Sequence, residues 1–127
     1  MRARDVDAPG APYGLAAGVV GIGGDSERRA QRLGEVDVGS FVWTRAPDGA
    51  YFLGRVRGPL RRDDSADARE VGMVFVRDTE WLDRPFPDDE VPAAVAATFA
   101  RGGRNLQRMH SEAAERWTAE LWETWRR

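Results

Sequence analysis

The chain has no cysteine, no lysine and one histidine, His110. Without cysteine there is no disulfide, thiolate metal site or sulfur nucleophile. A single imidazole is too few for a histidine-rich metal site. No stretch approaches the roughly 20 apolar residues that a membrane-spanning helix needs. The first fourteen residues, MRARDVDAPGAPYG, carry no apolar secretion segment, so a cytoplasmic location is the expectation.

All 19 positive charges are therefore arginine, a side chain that binds phosphate and base edges through two parallel hydrogen bonds. The net charge of -2 argues against a basic coat, so any nucleic-acid contact must rest on a local basic face. A length of 127 residues suits one domain.

Residues 1–14, with Pro9 and Pro12, read as a flexible arm, and residues 15–127 as a single domain. LAAGVVGIGG reads as a buried strand centred on Val19, Val20 and Ile22. DSERRAQRLG reads as a short helix capped by Asp25 or Ser26 and ended by Gly34, with Leu33 inward. DVGSFVWTRA and YFLGRVRG form the clearest hairpin, closed by Asp48-Gly49. On the second arm Tyr51, Leu53, Arg55 and Arg57 are expected on one face, and Phe52, Gly54 and Val56 on the other. PLRRDDSADAREVG reads as a charged loop, and MVFVRDTEWL as another strand.

A helix follows Pro92, with Val95 and Phe99 four apart on one face. RNLQRM suggests a short last strand. Ser111 then caps a C-terminal helix in which Ala114, Trp117, Leu121 and Trp125 make an apolar stripe. Trp122 lies one helical step of about 100° off that stripe. The expected fold is α+β: a strongly bent, mostly antiparallel β-sheet or barrel with flanking helices and a C-terminal Trp-rich helix.

GVVGIGGD, Gly18 to Asp25, invites a nucleotide-binding reading that its spacing does not support. A phosphate-binding loop needs a Lys that is absent. A dinucleotide fingerprint needs a third glycine where Ser26 stands. Glycines at a strand bend or bulge are the simpler account. No cofactor is expected. Asp88, Asp89 and Glu90 complement a helix N-terminus, and no nucleophile stands beside a base, so no enzymatic activity is expected.

GVVGIGGD, VDVGSFVWTR, GAYFLGRVRGPLRR, VFVRDTEWL and VPAAVAATFARGGRNLQRM follow one another in the order of the PUA-like superfamily. The run resembles its EVE and YTH side, and is most similar to the N-terminal specificity modules of modification-dependent restriction proteins. The similarity spans about Leu15 to Met109. Gly24 stands where similar modules often carry an aromatic residue, and Ser40 replaces an acid.

The resemblance implies a PUA-like domain that reads one flipped, often modified, base of DNA or RNA. Such a base must be sandwiched by apolar faces and hydrogen-bonded along its edge, or the unstacking cost goes uncompensated. The implied base-binding set is Gly21, Ile22, Gly23 and Gly24 for close main-chain approach, Trp43, Tyr51 and Trp81 as walls, and Asn105 for an edge contact, with Gln107 beside it; core packing is the alternative for the three aromatics, and above all for Trp81, and a strand end for Asn105 and Gln107. Arg55, Arg57, Arg61, Arg62 and Arg77 are the candidate phosphate contacts. The alternative account of these arginines is a solvated face paired with Asp63, Asp64 and Asp67.

A second reading is a protein–protein module, or a partner subunit sharing the fold without a working base pocket. Gly24, the acidic net charge and the three-tryptophan helix favour it. The expected partners are thus a nucleic acid or an effector protein, and no membrane.

Overall fold

The structure is a computed structural model that describes residues 13–22, 27–71, 75–100, 105–106 and 112–126. Helix α1 covers residues 13–17. Then follow β1 (Val19–Ile22), α2 (Glu27–Gly34), β2 (Phe41–Arg45), β3 (Tyr51–Arg62) and α3 (Ala66–Val71). The chain continues with β4 (Phe75–Trp81), a 3-10 turn (Asp88–Glu90), α4 (Ala93–Ala100), β5 (Asn105–Leu106) and α5 (Glu112–Trp125). The strands form one antiparallel sheet in the order β1-β4-β3-β2-β5, curled into a half-barrel with helices packed around it.

The β2–β3 hairpin organises the rest. Gly49 takes φ +94°, and its amide donates to Ala46 O while Ala50 N donates to the Asp48 carboxylate. This loop holds Trp43 opposite Leu53 and Phe41 opposite Arg55. Alternation then sends the two sets of side chains to opposite faces. Trp43, Tyr51 and Leu53 join Leu82, Phe86, Val91, Val95, Phe99 and Trp122 in the main core, which draws on α4 and α5. Val42 and Val56 join Val20, Leu33 and Val36 in a second core beside α2. The hairpin is therefore covered on both sides.

The long strand β3 shifts register against β4 between Val56 and Leu60. A bulge of this kind bends a strand and increases its twist, which curls the sheet. Arg77 fastens the bend. The residue is 3% exposed, and its guanidinium donates to Gly58 O at 2.8 Å, to Leu33 O at 2.9 Å and to Val36 O. It thereby satisfies carbonyls at the C-terminal end of α2, where a cation also suits the helix dipole.

Several sequence expectations change. Residues 15–17 are helical and not strand, and β1 begins at Val19. Tyr13 packs against Val19 and Val76, and its hydroxyl donates to the Asp63 carboxylate. The loop expected after Gly58 instead continues β3 to Arg62 and then forms α3. Ser65 Oγ caps α3 by accepting from Ala68 N at 3.1 Å, and Ala68 is buried.

Candidate functional site

The expected base walls occupy separate places. Trp43 has no exposed surface; it meets Phe86 edge-on at 5.6 Å and donates its indole N–H to Thr118 Oγ1 at 3.2 Å. Tyr51 is buried too, edge-on to Phe99 at 5.4 Å with the Arg45 guanidinium 5.3 Å from its ring. Burial raises the Tyr51 phenol above its ordinary pKa, Arg45 opposes this, and Asp88 adds to it. Stacking a base needs a free ring face, and the protein's own side chains occupy these faces. Of the two roles open to these residues, wall and core, the structure places both in the core.

Trp81 is half-buried. Its ring lies over Gly54, where an added Cβ would come within 2.5 Å of Trp81 Cε3, and its N–H donates to Val19 O at 3.1 Å. Gly54 is thus the close-approach glycine of the sheet. Gly21 sits on β1 opposite Val76, and Ile22 opposite Phe75. Strands β4 and β3 separate them from Trp43 on β2 in the sheet order. Asn105 pairs with Thr44 in the β5–β2 ladder. Gly23, Gly24, Gln107 and His110 lie outside the described residues.

The expected phosphate contacts are largely engaged by the protein. Arg77 is corrected outright, because it is sealed against three carbonyls. Arg57 pairs with Glu80 at 2.5 Å, Arg61 with Asp78 at 2.8 Å and Arg62 with Asp64 at 3.0 Å. Of the carboxylates named in advance, Asp64 alone takes such a role among the described residues; Asp78 and Glu80 supply the rest from the neighbouring strand β4. Arg55 donates to Gly39 O at 2.7 Å and stacks 4.8 Å from the Phe41 ring centre. Exposed pairs of this sort stabilise little, but they leave the β3 face near neutrality.

Helix α5 departs most from expectation. Its inward line is Ala114, Thr118 and Trp122, all buried. Trp117 is 50% exposed and Trp125 43%, with half-buried Leu121 between them in sequence. The expected stripe is rotated outward by about one helical step. Thr118, polar by type, nevertheless sits inward, where its hydroxyl accepts the buried Trp43 N–H beside the buried Trp122. Trp122, set aside as off the stripe, is the core residue. It packs 5.9 Å from Phe41, with Arg55 and Arg57 at 5.8 and 6.0 Å, and its buried N–H has no hydrogen-bond partner among the described residues.

The two exposed indoles are held by a common neighbour. Trp117 donates to Glu90 O at 3.2 Å. The Glu90 carboxylate lies 2.8 Å from Arg84 Nη1, out of line for a hydrogen bond. The Arg84 guanidinium stacks 4.1 Å from Trp125 and 4.6 Å from Phe86. Trp117, Glu90, Arg84 and Trp125 thus form a linked surface with two indoles presented to solvent. Sequence reasoning missed Arg84, Glu90 and Thr118 in these roles. The one available signal was the four-residue spacing of Ala114, Thr118 and Trp122.

Among the described residues no group of three or more His, Asp or Glu is placed to hold a metal, and no helix is long and apolar enough to cross a membrane. Comparison with protein-family models, characterised proteins and solved structures gives no match to the chain.

Proposed function

We propose that the protein is a non-catalytic protein–protein interaction module whose docking surface is the outer face of α5. The exposure of Trp117 and Trp125 is the observation that carries this reading. Indoles are large, mostly buried side chains, and those on a surface are enriched where partners bind. Both rings are oriented by partners of their own, one by Glu90 O and the other by Arg84. A held ring loses less conformational entropy on binding than a free one.

Kinship with the PUA-like superfamily belongs to the same proposal, as a member whose base pocket is filled. Burial of Trp43 and Tyr51 and pairing of the β3 arginines favour the protein partner over a flipped base.

The test is affinity capture with the wild type and a Trp117→Ala/Trp125→Ala variant, alongside titration with oligonucleotides carrying plain adenine, N6-methyladenine or 5-methylcytosine. The reading expects a protein partner retained by the wild type and lost by the variant, with no preference for a modified base. Modified-base binding that is indifferent to the double substitution would restore base recognition instead.

A further inference from the structure

We infer that the Trp117–Leu121–Trp125 face receives a basic amphipathic helix from its partner protein, an inference that rests on the docking role just proposed. The three residues are four apart, so they form a row rising about 6 Å per step along α5. Side chains spaced three or four apart on a second helix pack into such a row. An extended partner strand would need free main-chain groups to pair with, and the interior of a helix offers none.

Charge supplies the partner's sign. Glu120, three residues beyond Trp117, is exposed on the outer flank of the row. Glu90, whose carbonyl holds Trp117, is partly exposed, and Asp83 and Asp89 are exposed in the same segments. Among the described residues these four carboxylates are opposed by Arg84, already paired with Glu90 and stacked on Trp125, and by exposed Arg116, one turn before Glu120, while Arg126 beside Trp125 is paired with Glu123. The rim of the apolar row is therefore acidic, and lysine or arginine flanking the partner's apolar residues complements it. A second copy of this chain would bring the same excess of carboxylates to the contact and complement it less well than a basic helix.

The probes are two synthetic 18-residue peptides with leucine at helical spacing, one filled with lysine and the other with glutamate. Each is titrated calorimetrically against the full chain at physiological ionic strength. The lysine peptide is expected to bind at least tenfold more tightly than the glutamate peptide. Trp117→Ala/Trp125→Ala should weaken it at least tenfold, and Glu120→Lys at least threefold.

Equal affinity for the two peptides, binding to neither, or binding untouched by the double substitution overturns the inference. So does a dimer, seen by light scattering, that the double substitution dissolves; the occupant is then a second copy, and the face remains a docking surface. If the double substitution alters neither self-association nor partner capture, the docking role itself fails.

Discussion

Trp122 and Trp125 lie three residues apart on the same helix and do opposite things. Trp122 is 1% exposed, locked between Phe41 and the main core, whereas Trp125 is 43% exposed and touches Arg84 at the surface. The same contrast separates Trp43, sealed on β2, from Trp117, open on α5. Residue type therefore says little about role in this protein. What assigns each indole is whether a neighbouring element closes over it.

The strongest way to break the contrast is to truncate each indole. Trp43→Ala or Trp122→Ala should cost about 3–5 kcal/mol, through lost burial and the cavity left behind. That is a large share of a stability of about 5–15 kcal/mol, so urea denaturation should find the midpoints of these variants sharply lowered. Trp117→Ala and Trp125→Ala should each stay within about 1 kcal/mol of wild type, since they lose half-exposed area together with one exposed hydrogen bond in the first and one stacked cation in the second. Equal losses at inner and outer positions would erase the distinction.

Next in size is Gly54→Ala. The new methyl would meet Trp81 Cε3 and Thr79 Cγ2 at 2.5 and 2.8 Å, and the loss is expected at about 1–3 kcal/mol. Thr118→Val is comparable, at about 1–3 kcal/mol, because it strands the buried Trp43 N–H. Hydropathy alone predicts the reverse for that change, since valine improves an apolar line. Thermal melts of the two variants sharpen the account of why α5 turns the way it does.

The smallest effect is electrostatic. The Tyr51 phenol has a raised pKa in the fold, chiefly from burial. The unfolded chain therefore releases this proton first as pH rises. The contribution is complete below about pH 10 and is lost above it. Tyr13 is raised in the same direction, mainly by its hydrogen bond to Asp63. Alkaline denaturation of Tyr51→Phe should begin at higher pH than in the wild type.

Much of the fold was legible because local rules and tertiary packing agree there. Asp48-Gly49 marked the hairpin, and Val95 with Phe99 marked the buried face of α4; both appear as read. The curl was expected in outline. Its fastening was not, because nothing in the sequence says that Arg77 turns inward to three carbonyls. The same holds for α3, whose only local signs were Ser65 and Ala68 in a charged run.

The site was hardest to read. A tryptophan in an alternating strand serves equally as wall or as core, and the choice depends on Phe86 and Thr118, 43 and 75 residues further along. A stripe on a helix is read from hydropathy, which places threonine outside. Here Thr118 faces inward with a long-range hydrogen bond to Trp43, Trp122 is buried beside it, and two indoles are left exposed.

Residue-resolved hydroxyl-radical footprinting of the free protein tests the partition of the tryptophans most directly. Trp117 and Trp125 should oxidise readily, while Trp43 and Trp122 stay protected until the protein is unfolded. Oxidation of Trp43 as fast as that of Trp117 would mean that the hairpin indole reaches solvent, and would contradict the assignment of the outer face of α5 as the working surface.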